Sequence, residues 1–373
     1  MSRSVHILTH EFHPTTGGIG TYVEETAAAA AEAGLEVRVW APGLDEGGYD
    51  PFPYQVNRVR MRGKQDWLCR FRMASALKKA FPEGRIPGTL LLAEPGPIRL
   101  WMYASFLGLP RSDRLMVIFH GSELLALSRH RRRRVRLRQL LLGTDCIGCV
   151  SGPVRKMALN LGPDISSRVA LVPGAVRSAW TNLPAIPREN QPEPGILHVG
   201  RIHPRKGQLE LVEAAGRLPD TWRQSVRIRL VGPVGHPRYL DQIQQRAAEL
   251  SVRLSLEGRL PEAKLAEAYR TAAMLVLPSQ PYRNSVEGLG LSLLEAQHFG
   301  CPVVGTRIGG IPEAMEEGKS GLIVSPSDPV ALANAIKQLL EDPPSASTMG
   351  MNGSRFVRET FSWRKNIQRL GLA

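Results

Sequence analysis

The chain contains 373 residues, of which 43% are hydrophobic and 22% charged, a composition that indicates a globular protein and excludes a disordered one. Its length suits two domains of ordinary size. The sequence has no run of about 18 apolar residues, which a membrane-spanning helix needs. The first eight residues enter a strand-like pattern too early for a secretory signal peptide, which predicts a cytoplasmic protein.

Strand and helix patterns alternate along the whole chain, which predicts an α/β protein with a parallel sheet in each half. The predicted strands are Val5–Leu8, Val37–Trp40, Leu90–Ala93, Met116–Phe119, Cys146–Val150, Ile196–Val199, Arg227–Val231, Arg253–Leu256, Met274–Leu277, Val303–Gly305 and Leu322–Val324. Helices are predicted to begin near Gly20, Ile98, Arg129 and Pro153. A further apolar helix is predicted from Leu289 to Phe299.

The predicted domains follow from a segment rich in proline and polar residues, 183–194, which cannot form a regular element and is the best linker candidate. The first domain then spans 1–182 and the second 195–348. The tail, 349–373, has a helical pattern again.

The four cysteines include a C-x-x-C pair, Cys146 and Cys149, inside a predicted strand. Residues three apart on a strand point to opposite faces, so the pair is unsuited to a shared metal or to redox exchange. No second pair completes a zinc site. We therefore predict reduced thiols.

Two acids, Glu287 and Glu295, are separated by seven residues that include Gly288 and Gly290. Glycines at the start of a buried helix allow close backbone approach and present unpaired N–H groups, a setting that favours a phosphate. Glu287 should point past that phosphate toward a hydroxyl-rich group, and Glu295 could accept from a second pair of hydroxyls. The segment therefore indicates a sugar nucleotide; the alternative is an ordinary α/β loop with two surface acids.

A second turn follows the predicted strand Ile196–Val199 and carries Arg201 and Lys206. Two cations at a strand-to-helix turn suit a diphosphate, arginine through its planar fork and lysine as a point charge. Three more motifs follow in order: Pro302-Val303-Val304-Gly305-Thr306, then Gly309-Gly310-Ile311-Pro312-Glu313-Ala314, then Gly321-Leu322-Ile323-Val324.

This ordered set resembles the C-terminal half of the retaining glycosyltransferases of family four, which have the two-domain GT-B fold, over roughly residues 195–326. The N-terminal half is similar more loosely, through Gly17-Gly18 and His120-Gly121. The resemblance implies two facing Rossmann-like domains with a cleft between them and a C-terminal helix that returns to the first domain. One departure occurs at Pro173-Gly174-Ala175-Val176-Arg177, where the family often has Pro-Asn-Gly-Val-Asp.

The resemblance also implies roles for individual residues. Glu295 matches the acid that holds the nucleotide ribose, and Glu287 the acid that contacts the donor sugar. Arg201 and Lys206 match the diphosphate clamp. The remaining matches are Gly290, Leu291 and Ser292 for the backbone that caps the phosphates, His120 for a histidine facing the donor sugar, and Gly17 and Gly18 for the glycine loop near the transferred group.

The expected activity is retaining transfer of a hexose from a UDP- or GDP-sugar to a hydroxyl of a glycan or lipid-linked acceptor. We expect the enzyme to act in cell-surface polysaccharide or glycolipid synthesis. The chain has no Asp-x-Asp pair, so a metal-bound diphosphate is disfavoured, and we expect neither metal nor cofactor. We favour same-face attack by the acceptor hydroxyl, with its proton passing to the departing phosphate oxygen. The alternatives are a nucleotide-sugar epimerase and a basic membrane- or polyanion-binding protein on the same fold.

The net charge is +14, and the excess lies in the first half: residues 1–186 contain 25 lysines and arginines against 15 acids. Two clusters dominate, Arg58–Lys79, which includes Trp67 and Phe71, and Arg129–Arg138, which has seven arginines. Basic helices with aromatic residues suit an anionic membrane surface, which predicts peripheral attachment to the inner face of the cell membrane; a solvated arginine-rich helix is the alternative. A nucleic-acid partner is not expected, because no binding motif accompanies the charge.

Overall fold

The structure is a computed structural model that describes residues 4–14, 17–43, 52–61, 66–186, 195–283 and 285–372. The chain forms two compact units. The first unit combines Met1–Gly174 with Ser362–Ala373, and the second is Ala175–Phe361. Each unit contains one parallel sheet with helices, so the predicted pair of Rossmann-like domains is confirmed.

The first unit is built on a seven-stranded parallel sheet with the order β3-β2-β1-β4-β5-β6-β7. Its strands are β1 (Ser4–Leu8), β2 (Glu36–Pro42), β3 (Gln55–Val59), β4 (Arg85–Leu92), β5 (Arg111–Phe119), β6 (Cys146–Cys149) and β7 (Val169–Leu171). Its helices are α1 (Gly18–Glu32), α2 (Trp67–Ala80), α3 (Pro95–Trp101), α4 (Ser122–Ser128), α5 (Arg131–Leu142) and α6 (Gly152–Leu159), with α14 (Trp363–Arg369) from the end of the chain. The strand order reverses between β1 and β4, and ligands of open α/β sheets bind at the carboxyl ends beside such a point.

The second unit has a six-stranded parallel sheet with the order β10-β9-β8-β11-β12-β13. Its strands are β8 (Gly195–Val199), β9 (Arg227–Val231), β10 (Arg253–Gly258), β11 (Met274–Leu277), β12 (Val303–Thr306) and β13 (Gly321–Val324). Its helices are α7 (Gln208–Ala215), α8 (Asp220–Ser225), α9 (Pro237–Glu249), α10 (Glu262–Thr271), α11 (Leu291–His298), α12 (Pro329–Glu341) and α13 (Pro343–Thr360). The order reverses between β8 and β11.

Every residue of β11 and β12 is buried, because helices cover both faces of the second sheet. Helices α7, α9 and α12 pack together, and so do α10, α11 and α13. This cover explains why both strands read as short continuous apolar runs in the sequence.

All eleven predicted strands are present. The sequence missed β3 and β7, which are the two edge strands of the first sheet. β3 has the mixed sequence Gln-Val-Asn-Arg-Val and β7 has three residues, so neither has the apolar run of a central strand.

The observed units divide the chain at other places than the predicted domains. The first unit ends at Gly174 instead of 182, and the returning segment begins at Ser362 instead of 349. Helix α13 spans position 349 and packs on α11, where the Ser354 hydroxyl donates to the His298 carbonyl over 3.0 Å, so its C-terminal half belongs to the second unit. Residues 187–194 of the predicted linker lie outside the described residues.

The return of the chain to the first unit, implied by the resemblance, is carried by α14. The Trp363 ring packs edge-on against Tyr22 of α1 with 5.0 Å between centroids. The Asn366 amide donates to the Pro173 carbonyl, and Arg114 donates to the Gly371 carbonyl over 2.8 Å. The end of the chain is therefore a structural part of the first unit.

Cys146 and Cys149 lie on β6, where both are buried free thiols. Burial raises the pKa of Cys149 to about 12, which keeps its thiol protonated. Among the helices that the structure describes, none is both long and apolar enough to cross a membrane.

Candidate functional site

The turn after β8 is shaped by the buried side chain of Gln208. Its amide nitrogen lies 2.9 Å from the Arg201 carbonyl and 3.0 Å from His198 Nε2, and its oxygen accepts from the His203 backbone N–H over 3.3 Å. The same turn contains a short 3₁₀ helix, Pro204–Lys206, in which the Arg205 N–H is capped by His203 Nδ1. Gln208 thereby fixes the backbone from which Arg201 and Lys206 project.

Gly207 lets this turn meet the loop after β11. Its φ is +74°, and a Cβ at this position would lie 1.8 Å from the Pro278 carbonyl oxygen. Only glycine fits so close an approach in the left-handed region. The Gln280 N–H donates to the Arg205 carbonyl over 2.8 Å, which joins the two loops at the strand-order reversal of the sheet.

Glu287 lies in this second loop, where the residue is only 8% exposed. Lys206 Nζ donates to Glu287 Oε2 over 2.9 Å, Arg205 donates to the same oxygen, and the Ser279 hydroxyl lies at 3.2 Å. Burial alone would raise the pKa of Glu287, but the charges of Lys206 and Arg205 lower it to about 2. The site therefore holds a buried, ionised carboxylate between two cations.

The Gly309-Gly310 motif fixes the backbone of Glu287. The Gly310 N–H donates to the Glu287 carbonyl over 3.0 Å. Gly309 has φ +55°, and a Cβ there would lie 2.1 Å from the same carbonyl oxygen. Any other residue at 309 would displace the acid that the site is built around.

Helix α11 begins after Gly290, which has φ +87°. Leu291 and Ser292 belong to its first turn, and Gly288 lies in the preceding loop; Ser292 and Gly288 are half-buried, as is Leu291. Residues 293–298 are buried, as the apolar pattern predicted, although the helix is shorter than the predicted Leu289–Phe299. The loop that holds Glu287 leads directly into this first turn.

Glu295 lies further along α11 and is buried. Its Oε2 accepts from the Tyr269 hydroxyl over 2.6 Å, and its Oε1 lies 3.5 Å from Arg177 Nε. Burial raises the pKa of Glu295, while the Arg177 charge and the Tyr269 hydrogen bond act against that rise.

Arg201 projects from the same turn as Lys206 but is exposed. Its stem packs against Gly235, where a Cβ would lie 2.4 Å from Arg201 Cδ. Burial lowers the pKa of Lys206, Glu287 opposes that effect, and Arg205 and Arg201 add to it, so the three cations lie close together.

In the first unit, Gly17 and Gly18 open the 15-residue helix α1, with Gly17 as its N-cap. The Thr21 N–H donates to the Gly17 carbonyl over 3.0 Å. A Cβ on Gly18 would meet nothing within 4 Å, so the fold itself does not require glycine there.

His120 follows β5 directly, and its ring is held on two sides. Its Nε2 lies 3.0 Å from the Ala93 carbonyl, so Nε2 carries the hydrogen, and in the neutral ring Nδ1 is the acceptor. Tyr22 packs edge-on against the ring at 5.0 Å. The His120 backbone N–H donates to Glu123, which orients the turn into α4.

Glu94, at the carboxyl end of β4, is a buried acid that the sequence analysis did not single out. It accepts from the backbone N–H groups of His10 and Gly96 over 3.0 and 2.9 Å, and burial raises its pKa to about 7. The strand pattern that ended at Ala93 already placed this residue at a carboxyl edge.

The structure brings together Lys206, Glu287 and the start of α11, and it places Arg201 beside them. Sequence reasoning missed Arg205 and Arg177. Arg205 precedes Lys206 in the same basic turn, so a third cation there could have been noted. The partners of Arg177 lie 85 and 118 residues away in sequence, so no local pattern indicates them. The single cleft expected to collect residues of both units remains a prediction.

Two family models match the chain. The model described as Glycosyltransferase Family 4 matches residues 16–179, and the model described as Glycosyl transferases group 1 matches residues 181–356. The chain belongs to this family of group 1, family-four glycosyltransferases, and it is an enzyme of the glycosyltransferase class.

A relative that spans the whole chain is the GDP-mannose-dependent alpha-(1-6)-phosphatidylinositol monomannoside mannosyltransferase of Mycolicibacterium smegmatis. It is 29% identical over 379 residues, which cover 98% of this chain and 96% of the relative. The D-inositol 3-phosphate glycosyltransferase of Corynebacterium glutamicum is 34% identical over 182 residues, which cover 47% of this chain and 41% of the relative.

Solved structures confirm the GT-B fold. Sucrose-phosphate synthase from Thermosynechococcus elongatus superposes with a TM-score of 0.78 at 22% identity, covering 99% of this chain and 97% of that one. The Anabaena protein HepE in complex with UDP-glucose has a TM-score of 0.76 at 17% identity, with 99% and 98% covered.

Proposed function

We propose that the enzyme transfers mannose from GDP-mannose to a hydroxyl of an inositol-phosphate lipid, with retention of the anomeric configuration and without a metal ion. The observation that carries the proposal is the buried, ionised Glu287 held between Arg205 and Lys206 at the carboxyl edge of the second sheet. The donor and acceptor are suggested by the relatives from Mycolicibacterium smegmatis and Mycobacterium tuberculosis, which span the whole chain and are named for GDP-mannose and phosphatidylinositol monomannoside.

The cations have the task of receiving the leaving diphosphate. Lys206, Arg205 and Arg201 bring three positive charges to one turn, and the N-terminus of α11 adds backbone N–H groups. Charge developing on the diphosphate would be stabilised by groups already in place. This supply of charge is why we propose a metal-independent reaction.

Glu287 has the task of holding the transferred sugar. Its carboxylate is fixed by Ser279 and two cations and is ionised at every physiological pH. An ionised carboxylate accepts strong hydrogen bonds from sugar hydroxyls. Gly17, Gly18 and His120 are proposed to contact the donor from the first unit, with His120 Nδ1 as the acceptor atom.

The proposed chemistry is a same-face displacement. The acceptor oxygen forms a bond to the anomeric carbon as the bond from that carbon to the diphosphate oxygen breaks. The proton of the acceptor hydroxyl passes to the departing phosphate oxygen. Glu287 serves as a hydroxyl-binding group in this route and forms no covalent intermediate.

We propose that a surface of the first unit binds the membrane and that the enzyme reaches its lipid acceptor there. Three aromatic side chains there are exposed: Trp67 by 72%, Phe71 by 63% and Phe106 by 89%. Trp67 and Phe71 lie one turn apart on α2, while Ala74, which shares their helical spacing, is buried. Aromatic rings exposed among cations are typical of helices that bind at a lipid interface.

Both basic clusters contribute to this surface. Arg70 of α2 and Arg133 of α5 each act electrostatically on Arg99 of α3, whose pKa is lowered first by burial and then by these charges. The Arg136 guanidinium lies 4.2 Å over the Tyr103 ring, which links α5 to the segment that carries Phe106. Residues 62–65 of the Arg58–Lys79 cluster lie outside the described residues. A surface of this kind supports a location at the cytoplasmic face of an anionic membrane.

The proposal is tested by incubating the purified enzyme with GDP-mannose, GDP-glucose, UDP-glucose and UDP-N-acetylglucosamine, with phosphatidylinositol as acceptor and with EDTA throughout. We expect mannolipid from GDP-mannose alone, with an α anomeric proton in the NMR spectrum of the product. Transfer from a UDP-sugar would contradict the proposed donor, and a β-linked product would contradict the proposed retention of configuration. Dependence on added Mg²⁺ would contradict the proposed metal independence. Conversion of one nucleotide sugar into its epimer without acceptor would favour the epimerase alternative.

A further inference from the structure

We propose that Arg177 is a positioning residue of the donor site: its guanidinium holds the carboxylate of Glu295 in place for the ribose hydroxyls of the nucleotide. The inference rests on the proposed function, because it takes Glu295 as the ribose partner. It assigns a task to the position where the sequence departs from the family pattern.

The guanidinium of Arg177 lies between two acids. Its Nε is 3.5 Å from Glu295 Oε1, and its Nη1 is 3.9 Å from Glu262 Oε2 at the start of α10. The side chain is 19% exposed and stacks over the Trp180 ring at 5.3 Å. An arginine packed over an aromatic ring loses less side-chain freedom when it orients an acid.

The two oxygens of Glu295 are used differently. Oε2 accepts a 2.6 Å hydrogen bond from the Tyr269 hydroxyl. Oε1 faces Arg177 at 3.5 Å, longer than the usual 2.7–3.2 Å of an N–H···O hydrogen bond. The charge of Arg177 therefore acts on Oε1 while the oxygen keeps capacity for hydroxyl donors, and a ribose presents two of these side by side.

The electrostatic balance at Glu295 depends on Arg177. The groups that act on this acid are Arg177, Tyr269 of α10 and Glu262 of α10. Burial raises the pKa of Glu295 and the Glu262 charge adds to the rise, whereas Arg177 and the Tyr269 hydrogen bond oppose it. Without Arg177, a nearby acid and burial would both favour the protonated form, which accepts hydroxyl hydrogen bonds less well.

The sequence departure has a physical explanation in this arrangement. An aspartate at 177, as in the family pattern, would place a third acid beside Glu295 and Glu262. Arginine reverses the sign of the local charge. The position therefore gives this chain a cation where the family pattern has an anion, next to the carboxylate proposed to read the ribose.

The experiment measures GDP binding by isothermal titration calorimetry from pH 6 to pH 8 for wild type, Arg177→Ala, Arg177→Lys and Glu295→Gln. Each protein is also titrated with 2′,3′-dideoxy-GDP, which lacks the ribose hydroxyls. The control is Arg229→Ala, which removes a half-buried arginine paired with Glu257 in the same unit. Thermal unfolding of each variant reports its folding.

We expect Arg177→Ala to weaken GDP binding roughly tenfold, more at pH 6 than at pH 8, as loss of a hydrogen bond to a charged group would. With dideoxy-GDP the difference from wild type and its pH dependence should vanish. Arg177→Lys, which keeps the charge, should restore the flat pH profile, and Arg229→Ala should bind both nucleotides as wild type does.

An equal loss for GDP and dideoxy-GDP at every pH would overturn the inference, because a merely structural role would weaken both alike. The inference also fails, with the proposed function left standing, if Arg177→Ala binds GDP like wild type while Glu295→Gln binds it weakly. If Glu295→Gln leaves GDP binding unchanged, the ribose role of Glu295 in the proposed function fails instead. If Arg177→Ala does not fold, Arg177→Gln, which removes the charge but keeps most of the side chain, takes its place in every comparison: a weakening confined to GDP supports the inference, and no weakening or one shared by dideoxy-GDP overturns it.

Discussion

Lys206 Nζ lies 2.9 Å from Glu287 Oε2, so the cation expected to clamp the diphosphate is paired with the acid expected to hold the sugar. Both side chains are largely buried, 14% and 10% exposed. A buried ion pair is strongly sensitive to loss of one partner, because the remaining charge then lacks compensation. A substitution of Lys206 or Glu287 is therefore expected to change both the catalytic rate and the free energy of unfolding.

Glu287→Gln should reduce turnover far more than nucleotide affinity. Glutamine keeps the size of the side chain but loses the charge that accepts sugar hydroxyls. We expect kcat to fall about a hundredfold or more, as for loss of a transition-state contact worth roughly 3 kcal/mol, with the Kd for GDP changed less than about tenfold. Steady-state kinetics and calorimetry measure the two; Glu317→Gln, in an exposed ion pair with Arg307, is the matched control. Equal losses in both quantities would sink the assigned role.

The stability of the second unit should depend on acid through Glu287. The pKa of Glu287 in the folded state is about 2, below its usual 4.5. Its contribution to the free energy of unfolding is therefore complete above about pH 4.5 and is lost as the pH falls toward 2. The difference corresponds to roughly 3 kcal/mol. Denaturant unfolding between pH 2 and pH 6 should show a shallower acid dependence for Glu287→Gln than for wild type. Parallel curves for the two proteins would contradict this prediction.

Arg201→Ala should separate binding from stability. Arg201 is exposed, so its removal should change the free energy of unfolding by less than about 0.5 kcal/mol. Loss of one charge-assisted contact to the diphosphate should weaken GDP binding roughly tenfold. Calorimetry with GDP and with guanosine makes the test specific, because guanosine lacks the diphosphate and should bind both proteins alike. Arg238→Ala, an exposed arginine at the start of α9, is the control and should leave GDP binding unchanged.

The double variant Trp67→Ala/Phe71→Ala should bind anionic vesicles less well. Both rings are exposed on α2 among cations, so their removal takes away apolar area that can enter the lipid interface. We expect retention on phosphatidylcholine–phosphatidylglycerol vesicles to fall about tenfold in co-sedimentation, while Val330→Ala in the second unit behaves as wild type. Binding by wild type should weaken with salt. Undiminished retention of the double variant would assign these aromatics to another task.

Trp363→Ala should destabilise the first unit by roughly 3–5 kcal/mol, the usual cost of emptying a large buried aromatic site. The Trp363 ring is buried against Tyr22, so its removal should weaken the packing of α14 on α1. Thermal unfolding measures the effect, and Arg364→Ala, the exposed neighbour, should be nearly neutral. A small loss for Trp363→Ala would mean that α14 contributes little to the first unit.

Much of the fold was predictable because central parallel strands are buried on both faces and therefore read as apolar runs. Val303–Thr306 and Met274–Leu277 are of this kind. The edge strand Gln55–Val59 mixes polar and apolar residues without such a run, and the sequence analysis missed it. Sequence patterns thus predict the central strands of a sheet and miss its edge strands.

The sequence indicates candidate site residues where they are neighbours along the chain, as with Gly288, Gly290 and Glu295. The pairing of Arg205 with Glu287 spans 82 residues and depends on how closely Gly207 lets two loops approach. The limits of the compact units differ from the predicted domain limits for a similar reason. Position 349 begins no new element, because α13 runs through it to Thr360, and contacts between distant residues, such as Trp363 with Tyr22, show where the chain returns.

The second unit is one uninterrupted stretch of chain, whereas the first is assembled from two pieces that lie on either side of it in sequence. During translation, Ala175–Phe361 is therefore complete before the ribosome has made Trp363 and the rest of α14. The sheet of the first unit is synthesised earlier, but the surface beside Tyr22 stays uncovered until α14 has been made. The first unit, whose sheet is synthesised earlier, is thus the last to be complete in sequence, and truncated products that end at Phe361 should expose this patch to chaperones although every residue of their second unit is present.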